Sequence, residues 1–498
     1  MGHGTQLSLG GISGEYQPRR PEQTVLFRAV AQNYRTFEAM IQAGEKRISK
    51  HVTDEFEAFL KCGILAHGFL RVLCSDCKHE KLVAFSCKKR GFCSSCGGRR
   101  MAESAAHLID HVFPKVGVRQ WVLSFPMPVR FILAKNSKIQ GRVLTIVHRA
   151  ITTYIRNKAK KKGLRSKLQP GAVTLIQRFG GSLNLNVHYH MLFLEGGYYE
   201  TTSELAQGPK YWWVDPPTDS DIQAIVATLA KRVVRFLKKK GYFQDEVDSA
   251  VPDEETTQEE LLPELQAASV QSKIAMGERR GQRVRRLGAL AQDDFQGELK
   301  GPLCAVTHGF SLHAEVYCAA YERDKLEKLC RYIARPAVSE ERLRLAPNGD
   351  VVLRLKTPYS DGTSHLLFSG LEFVEKLAAL VPQPRIHLTR FFGVLAPHAK
   401  IRSKVVPTGT EPAQPTTDVS PPDKDGAKKK NRMSWAQLLA RVFNIDMLHC
   451  PKCGSENFKA IAAIIERGAI QKILIHFGLP DKPPDIAPAR LSPQMSFS

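Results

Sequence analysis

Ala172-Val-Thr-Leu-Ile-Gln-Arg-Phe179, then Gly180-Gly181, then Leu185-Asn-Val-His-Tyr-His-Met-Leu-Phe-Leu194 is the stretch on which the fold turns. Two apolar runs rich in β-branched and aromatic residues flank a glycine pair, the pattern of a β-hairpin. Side chains alternate between faces along a strand, so His188 and His190 share one face while Val187, Tyr189 and Met191 take the other. Two imidazoles side by side on a rigid strand can share a metal ion. A hydrogen-bonded pair of core histidines is the plainer alternative.

Working outward, Gly309-Phe-Ser-Leu-His-Ala-Glu-Val-Tyr317 is a second strand-like segment. It carries His313, a candidate third ligand, and Gln177 on the partner strand of the hairpin competes for that place. The next segment, Arg323-Asp-Lys-Leu-Glu-Lys-Leu-Cys-Arg-Tyr-Ile-Ala-Arg-Pro336, reads as a helix. Leu326, Leu329, Cys330 and Ile333 form its buried stripe and Pro336 limits its continuation. Tyr332 lies about a third of a turn off the stripe at ~100° per residue, so its hydroxyl can reach a cleft. Arg331 and Arg335 nearby favour a phenolate over a phenol whose ordinary pKa is ~10. A boundary tyrosine in water is the common alternative.

Upstream, Cys74-Ser-Asp-Cys77 and Cys93-Ser-Ser-Cys96 are two Cys-x-x-Cys knuckles, with Cys87 and Cys62 as further candidates. Four thiolates on two tight turns suit tetrahedral zinc, and leave no open position for catalysis. Such a structural ion contributes on the order of 10 kcal/mol to folding. Lys88, Lys89, Arg90, Arg99 and Arg100 crowd the same loop and suit DNA contact. Cys450-Pro-Lys-Cys453 supplies half a second site, which His449 or a distant ligand could complete; unpaired structural thiols are the alternative.

The 498 residues carry 72 Lys and Arg against 49 acids, a net +23. Neutralising that excess with a phosphate polymer releases counterions, so nucleic acid is the expected partner. No apolar run approaches the ~20 residues of a membrane helix, and no export signal is evident, which points to the cytoplasm, nucleoid-associated. Basic clusters occur at Lys158, Lys160, Lys161, Lys162, Arg165 and Lys167, again through residues 231–240, and at Arg279 to Arg286. They suggest a track for single-stranded or hairpin DNA. The expected organisation is a tail (1–23), a zinc-binding domain (24–118), a catalytic domain (119–405) with an acidic excursion (244–264), a Pro-rich linker (406–430) and a C-terminal helical region (431–498).

Taken together, Phe85-Ser-Cys-Lys-Lys-Arg-Gly-Phe-Cys-Ser-Ser-Cys96, Arg119-Gln-Trp-Val-Leu-Ser-Phe-Pro126, Asn184-Leu-Asn-Val-His-Tyr-His190 and Leu329-Cys-Arg-Tyr-Ile-Ala-Arg-Pro336 resemble the IS91-like rolling-circle transposases, including their insertion-sequence common-region branch. The resemblance implies an α+β fold: a histidine–hydrophobic–histidine (HUH) nuclease with a central antiparallel sheet and flanking helices. An N-terminal zinc-binding module precedes it and a small C-terminal region follows. It matches His188 and His190 to the family's metal pair, for Mg²⁺ or Mn²⁺, and Tyr332 to its nucleophile. Some members carry two tyrosines four residues apart on this helix, but Lys328 and Pro336 flank Tyr332 here. Tyr317 and Tyr321 have the spacing but precede the helix. A replication initiator or relaxase with the same chemistry, or a zinc-dependent nucleic-acid-binding protein that cuts nothing, are the competing expectations.

Overall fold

The computed structural model describes residues 19–200, 208–243, 260–288, 301–407 and 449–490. Most of the acidic excursion and of the linker, most of the N-terminal tail, and residues 431–448 of the expected C-terminal helical region lie outside the described residues. The described residues divide into two compact units that do not follow chain order: 19–23, 61–87 and 449–484 form one, and 24–60, the described part of 88–407, and 485–490 form the other. The spans expected from the sequence for a zinc-binding domain (24–118) and a C-terminal region (431–498) are both cut across by these units. The reason is a strand pairing that local sequence does not reveal. Strand Phe458–Ile464 runs antiparallel to Phe69–Cys74, which also pairs with Glu80–Ala84, giving a three-stranded ribbon.

In the larger unit, a seven-stranded antiparallel sheet has the order Thr389–Gly393, Gly171–Phe179, Leu185–Leu194, Val118–Ser124, Phe310–His313, Cys304–Thr307, with Tyr317–Cys318 also on the Val118–Ser124 strand. The hairpin forms where the glycine pair stands, and the alternation of its second strand decides which layer covers each face. Tyr189 and Met191 look toward helix Ser137–Lys161: the Tyr189 hydroxyl donates to the Gln140 carbonyl (3.2 Å), and His148 Nε2 lies 2.6 Å from the hydroxyl of Thr174, which pairs with Met191. That long helix starts at Asn136, whose side chain accepts from the N–H groups of Lys138 and Ile139, satisfying donors a helix start leaves open.

The opposite face, bearing His190, Leu192 and Leu194, is covered by helices Ser94–His111 and Arg323–Ile333. Leu326, Cys330 and Ile333, the stripe read from the sequence, are buried with Leu108, Ile109, Val173, Leu175 and Leu192, while Leu329 is partly buried beside them. Helix Ser94–His111 comes so near that a Cβ on Gly97 would lie 2.6 Å from Pro336 Cβ. Only glycine lets that helix seat against the end of the tyrosine helix.

A smaller antiparallel sheet, in the order Leu343–Leu345, Val351–Arg354, His365–Phe368, Arg285–Leu287, follows the tyrosine helix. Arg342 fastens it to the histidine hairpin, donating to the carbonyls of Gly181 (2.6 Å) and Arg354 (2.7 Å). Among the described residues no helix is long and apolar enough to cross a membrane.

Candidate active site

The two histidines stand on the Leu185–Leu194 strand with ring centroids 4.9 Å apart. Each has its Nδ1 engaged. His188 Nδ1 lies 2.8 Å from the Asn186 carbonyl, which can only accept, so Nδ1 carries the proton and Nε2 keeps its lone pair. His190 Nδ1 lies 2.8 Å from the Gln120 side-chain amide, and His190 Nε2 is buried without a partner. Gln120 Nε2 is the atom that faces His190 Nδ1; only turning the amide to present its oxygen there gives His190 the tautomer of His188. Burial pulls His188 down to about 4, aided by the positive charges of Arg335 and Arg130 and opposed by the Asn186 hydrogen bond. Burial, then His188 and Arg335, pull His190 down to about 3. Both rings are neutral near pH 7, the state in which imidazole donates to a metal.

The row across the sheet at His188 runs from Gln177 through His188 to Ser124. Gln177 is thus the immediate neighbour of His188 on its own face, and its Oε1 is buried with no partner. Its Nε2 donates to the Ile333 carbonyl at 2.8 Å, hooking the last turn of the tyrosine helix onto the histidine hairpin. His313 sits one strand further out: His190 pairs with Val122, and Val122 with His313. The His313 Nε2 turns to Glu315 at 3.2 Å, and among the described residues no ligand cluster joins it to the histidine pair. As arranged here, it is Gln177 and not His313 that offers a free donor atom beside the pair.

Tyr332 is 43% exposed on the rim of this face. Arg335 lies 4.3 Å from its ring centroid and Lys356 Nζ 4.2 Å. Partial burial pushes the phenol up, but the charges of Arg335 and Lys356 outweigh burial and hold it below the ordinary tyrosine value. Arg335 is also near enough to depress both imidazoles, so one guanidinium is shared by the phenol and the histidine pair. Arg331, one position before the tyrosine, is half-buried, whereas Tyr321 is 87% exposed ahead of the helix.

Arg119, Gln120 and Trp121 acquire separate roles. Arg119 is buried and donates to both oxygens of Glu195 (3.0 and 2.8 Å) and to the Ala314 carbonyl (2.9 Å), tying three strand ends together. Gln120 orients His190, and Trp121 packs edge-on against Tyr154 and Phe193 on the other face. Gln120 and Lys356 are the two site residues that sequence reading misses. Strand alternation puts Gln120 on the face of Val118 and Val122, but its pairing partner is unknown before folding. Lys356 follows a strand of another sheet and carries no local signal.

The expected DNA contacts scatter. Lys160, Lys161 and Lys162 are exposed at the end of helix Ser137–Lys161, which covers the sheet face away from the histidines; Lys162 pairs with Asp215 at 2.7 Å. Arg279, Arg285 and Arg286 are committed to Glu372, Asp350 and Asp361. Lys88 and Arg90 are exposed, Arg90 donating to the Ile386 carbonyl at 2.7 Å.

The cysteines regroup as well. Within one unit the sulfurs of Cys74 and Cys77 gather with those of Cys450 and Cys453. Strand pairing at Cys74 and Phe458 brings the C-terminal knuckle there. Cys87 donates its N–H to Cys62 Sγ (3.3 Å), while Cys93 and Cys96 lie buried at the start of helix Ser94–His111.

An antiparallel sheet with a paired-histidine strand, and a ribbon whose clustered cysteines can hold a metal ion, suit a DNA-processing enzyme with structural zinc. Comparison agrees: a family model described as "Transposase zinc-binding domain" (IS91 type) matches residues 30–125, and one described as "Putative transposase" matches residues 171–403. Together the two matches support an IS91-like transposase. No curated protein and no solved structure matches it. The zinc-binding family match and the cysteine groups support a structural zinc.

Proposed function

We propose that this transposase nicks and rejoins single-stranded or hairpin DNA at element ends, in rolling-circle transposition, through a 5′-phosphotyrosine on Tyr332. The observation that carries the reading is Arg335, whose charge acts on the Tyr332 phenol and on both imidazoles. The phenol and the metal-type pair therefore answer to one local field, as nucleophile and phosphate clamp must.

The donor set fits a divalent ion: His190 Nε2 and Gln177 Oε1 are buried without partners, and His188 keeps its Nε2 lone pair. Mg²⁺ or Mn²⁺ held by His188 and His190, with Gln177 favoured over His313 as third ligand, supplies polarisation of the scissile phosphate. Lys356 and Arg335 stabilise the Tyr332 phenolate, and its oxygen attacks phosphorus in line. The Tyr–O–P bond forms as the P–O3′ bond breaks, and the departing 3′-oxygen takes up a proton. The phosphodiester energy is kept in the tyrosyl ester, so a 3′-hydroxyl can reverse the step without ATP. Lys88, Arg90, Arg331 and the Lys160–Lys162 group contribute phosphate contacts. The work takes place at the DNA in the bacterial cytoplasm.

Incubation of the full chain with labelled single-stranded element ends and Mn²⁺ tests this. Wild type gives a protein–DNA adduct that survives denaturing gels; Tyr332→Phe gives none. An adduct of equal yield in the variant, or none in wild type, overturns the reading in favour of another nucleophile or of a protein that only binds.

A further inference from the structure

By itself Cys450-Pro-Lys-Cys453 is half a metal site, and the zinc-binding family match ends far upstream, at residue 125. In the ribbon, Cys74 Sγ lies 3.7 Å from Cys453 Sγ and Cys77 Sγ 3.5 Å from Cys450 Sγ. All four sulfurs fall within 4.8 Å of one another. A tetrahedron of ~2.3 Å zinc–sulfur bonds has edges of about 3.8 Å, whereas a disulfide needs ~2.05 Å.

The two loops are built alike. Cys74 N–H donates to the His79 carbonyl (2.9 Å) and Lys78 N–H returns to the Cys74 carbonyl (3.0 Å). Cys450 N–H donates to the Ser455 carbonyl and Gly454 N–H returns to the Cys450 carbonyl, both at 2.8 Å. The residue closing each loop takes the left-handed conformation, Lys78 at φ 60° and Gly454 at φ 72°. Asp76 stitches the loops together, accepting from Asn457 Nδ2 (3.2 Å) and from the Ser455 hydroxyl.

Beside this polar assembly the described apolar core is small: Phe69, Leu82, Ile470 and Leu474 are its buried members. A core of that size does not hold a three-stranded ribbon and a helix together unaided.

We propose that Cys74, Cys77, Cys450 and Cys453 bind one zinc ion, a clasp that the last segment of the chain closes on the first. Binding displaces the thiol protons and joins loops 373 to 379 residues apart in sequence. A chain that stops before Cys450 cannot make the site, so the ribbon becomes metal-dependent and completes only once synthesis has passed Cys453.

Metal stoichiometry of the purified full chain tests this. Cys74→Ser/Cys77→Ser and Cys450→Ser/Cys453→Ser should each lose one zinc per chain, and the quadruple variant should lose no more than one. Retention of all zinc by the C-terminal double variant, or loss of two by the quadruple, overturns the shared site. Cys450→His/Cys453→His guards against simple unfolding, because imidazole also ligates zinc. It should keep the zinc that the serine pair loses, and on cobalt exchange its visible spectrum should differ from wild type. Loss of zinc from this variant with the rest of the chain folded, or an unchanged cobalt spectrum, counts against the assignment.

Discussion

Tyr332 depends on two cations that come from different elements. Arg335 lies on the same turn, while Lys356 is delivered by the small sheet. Because positive charge favours the phenolate, removing it raises the phenol's pKa. Lys356→Met should therefore cleave more slowly than wild type at neutral pH and approach it at alkaline pH. Single-turnover rates across pH, with DNA and Mn²⁺ saturating, check this; an unshifted profile would remove Lys356 from the mechanism. Gln120 contacts His190, one of the two proposed metal ligands. Losing such an outer partner typically costs 10–100-fold in metal affinity, so Gln120→Leu should weaken Mn²⁺ by about that factor in a titration while DNA affinity holds. At this scale the sequence discloses residues whose own chemistry is unusual in place, the histidine pair and the helix-edge tyrosine. It conceals those that matter through a partner, because Gln120 and Lys356 owe their roles to strand register and sheet packing.

The hairpin and the tyrosine helix were legible as elements because period two and period 3.6 are written into their apolar residues. How they meet was not. The join is a side chain, Gln177, which pairs beside His188 and holds the Ile333 carbonyl. Gln177→Leu removes both the hook and the free oxygen; Gln177→Glu keeps an oxygen for metal but loses the donor. If the hook is its main service, both variants lose cleavage with Mn²⁺ binding intact in the glutamate form. If ligation dominates, the glutamate form retains much of the activity. A second joint is the Arg119–Glu195 pair, each side chain about 6% exposed. Breaking a buried pair leaves an uncompensated charge, so Arg119→Met should destabilise the sheet unit by about 3–5 kcal/mol, read from denaturant unfolding.

For the molecule as a whole, the +23 net charge pointed toward nucleic acid, and the match to a transposase family agrees. Charge runs did not say which cations are free. Arg279, Arg285 and Arg286 hold the small sheet and its neighbours through ion pairs, while Lys160 and Lys161 remain exposed on the layer remote from the histidines. Affinity for single-stranded DNA should fall with salt at a log–log slope of ~−0.7 per neutralised phosphate. Lys160→Gln/Lys161→Gln should flatten that slope with no change in the cleavage rate of bound DNA; a changed rate at saturation would place those lysines at the chemistry instead. Division into units was the least legible feature, since the ribbon draws on segments from both ends of the chain and only long-range pairing assembles it. The claim beneath all of this is that one phenol oxygen and two imidazoles work on the same phosphodiester. Mass-spectrometric mapping of the adduct trapped with Mn²⁺ tests it most directly. The nucleotide should sit on the peptide containing Tyr332, and the adduct should vanish in His188→Ala/His190→Ala. A nucleotide found on Tyr317 or Tyr321, or an adduct that forms unchanged without the histidines, would contradict it.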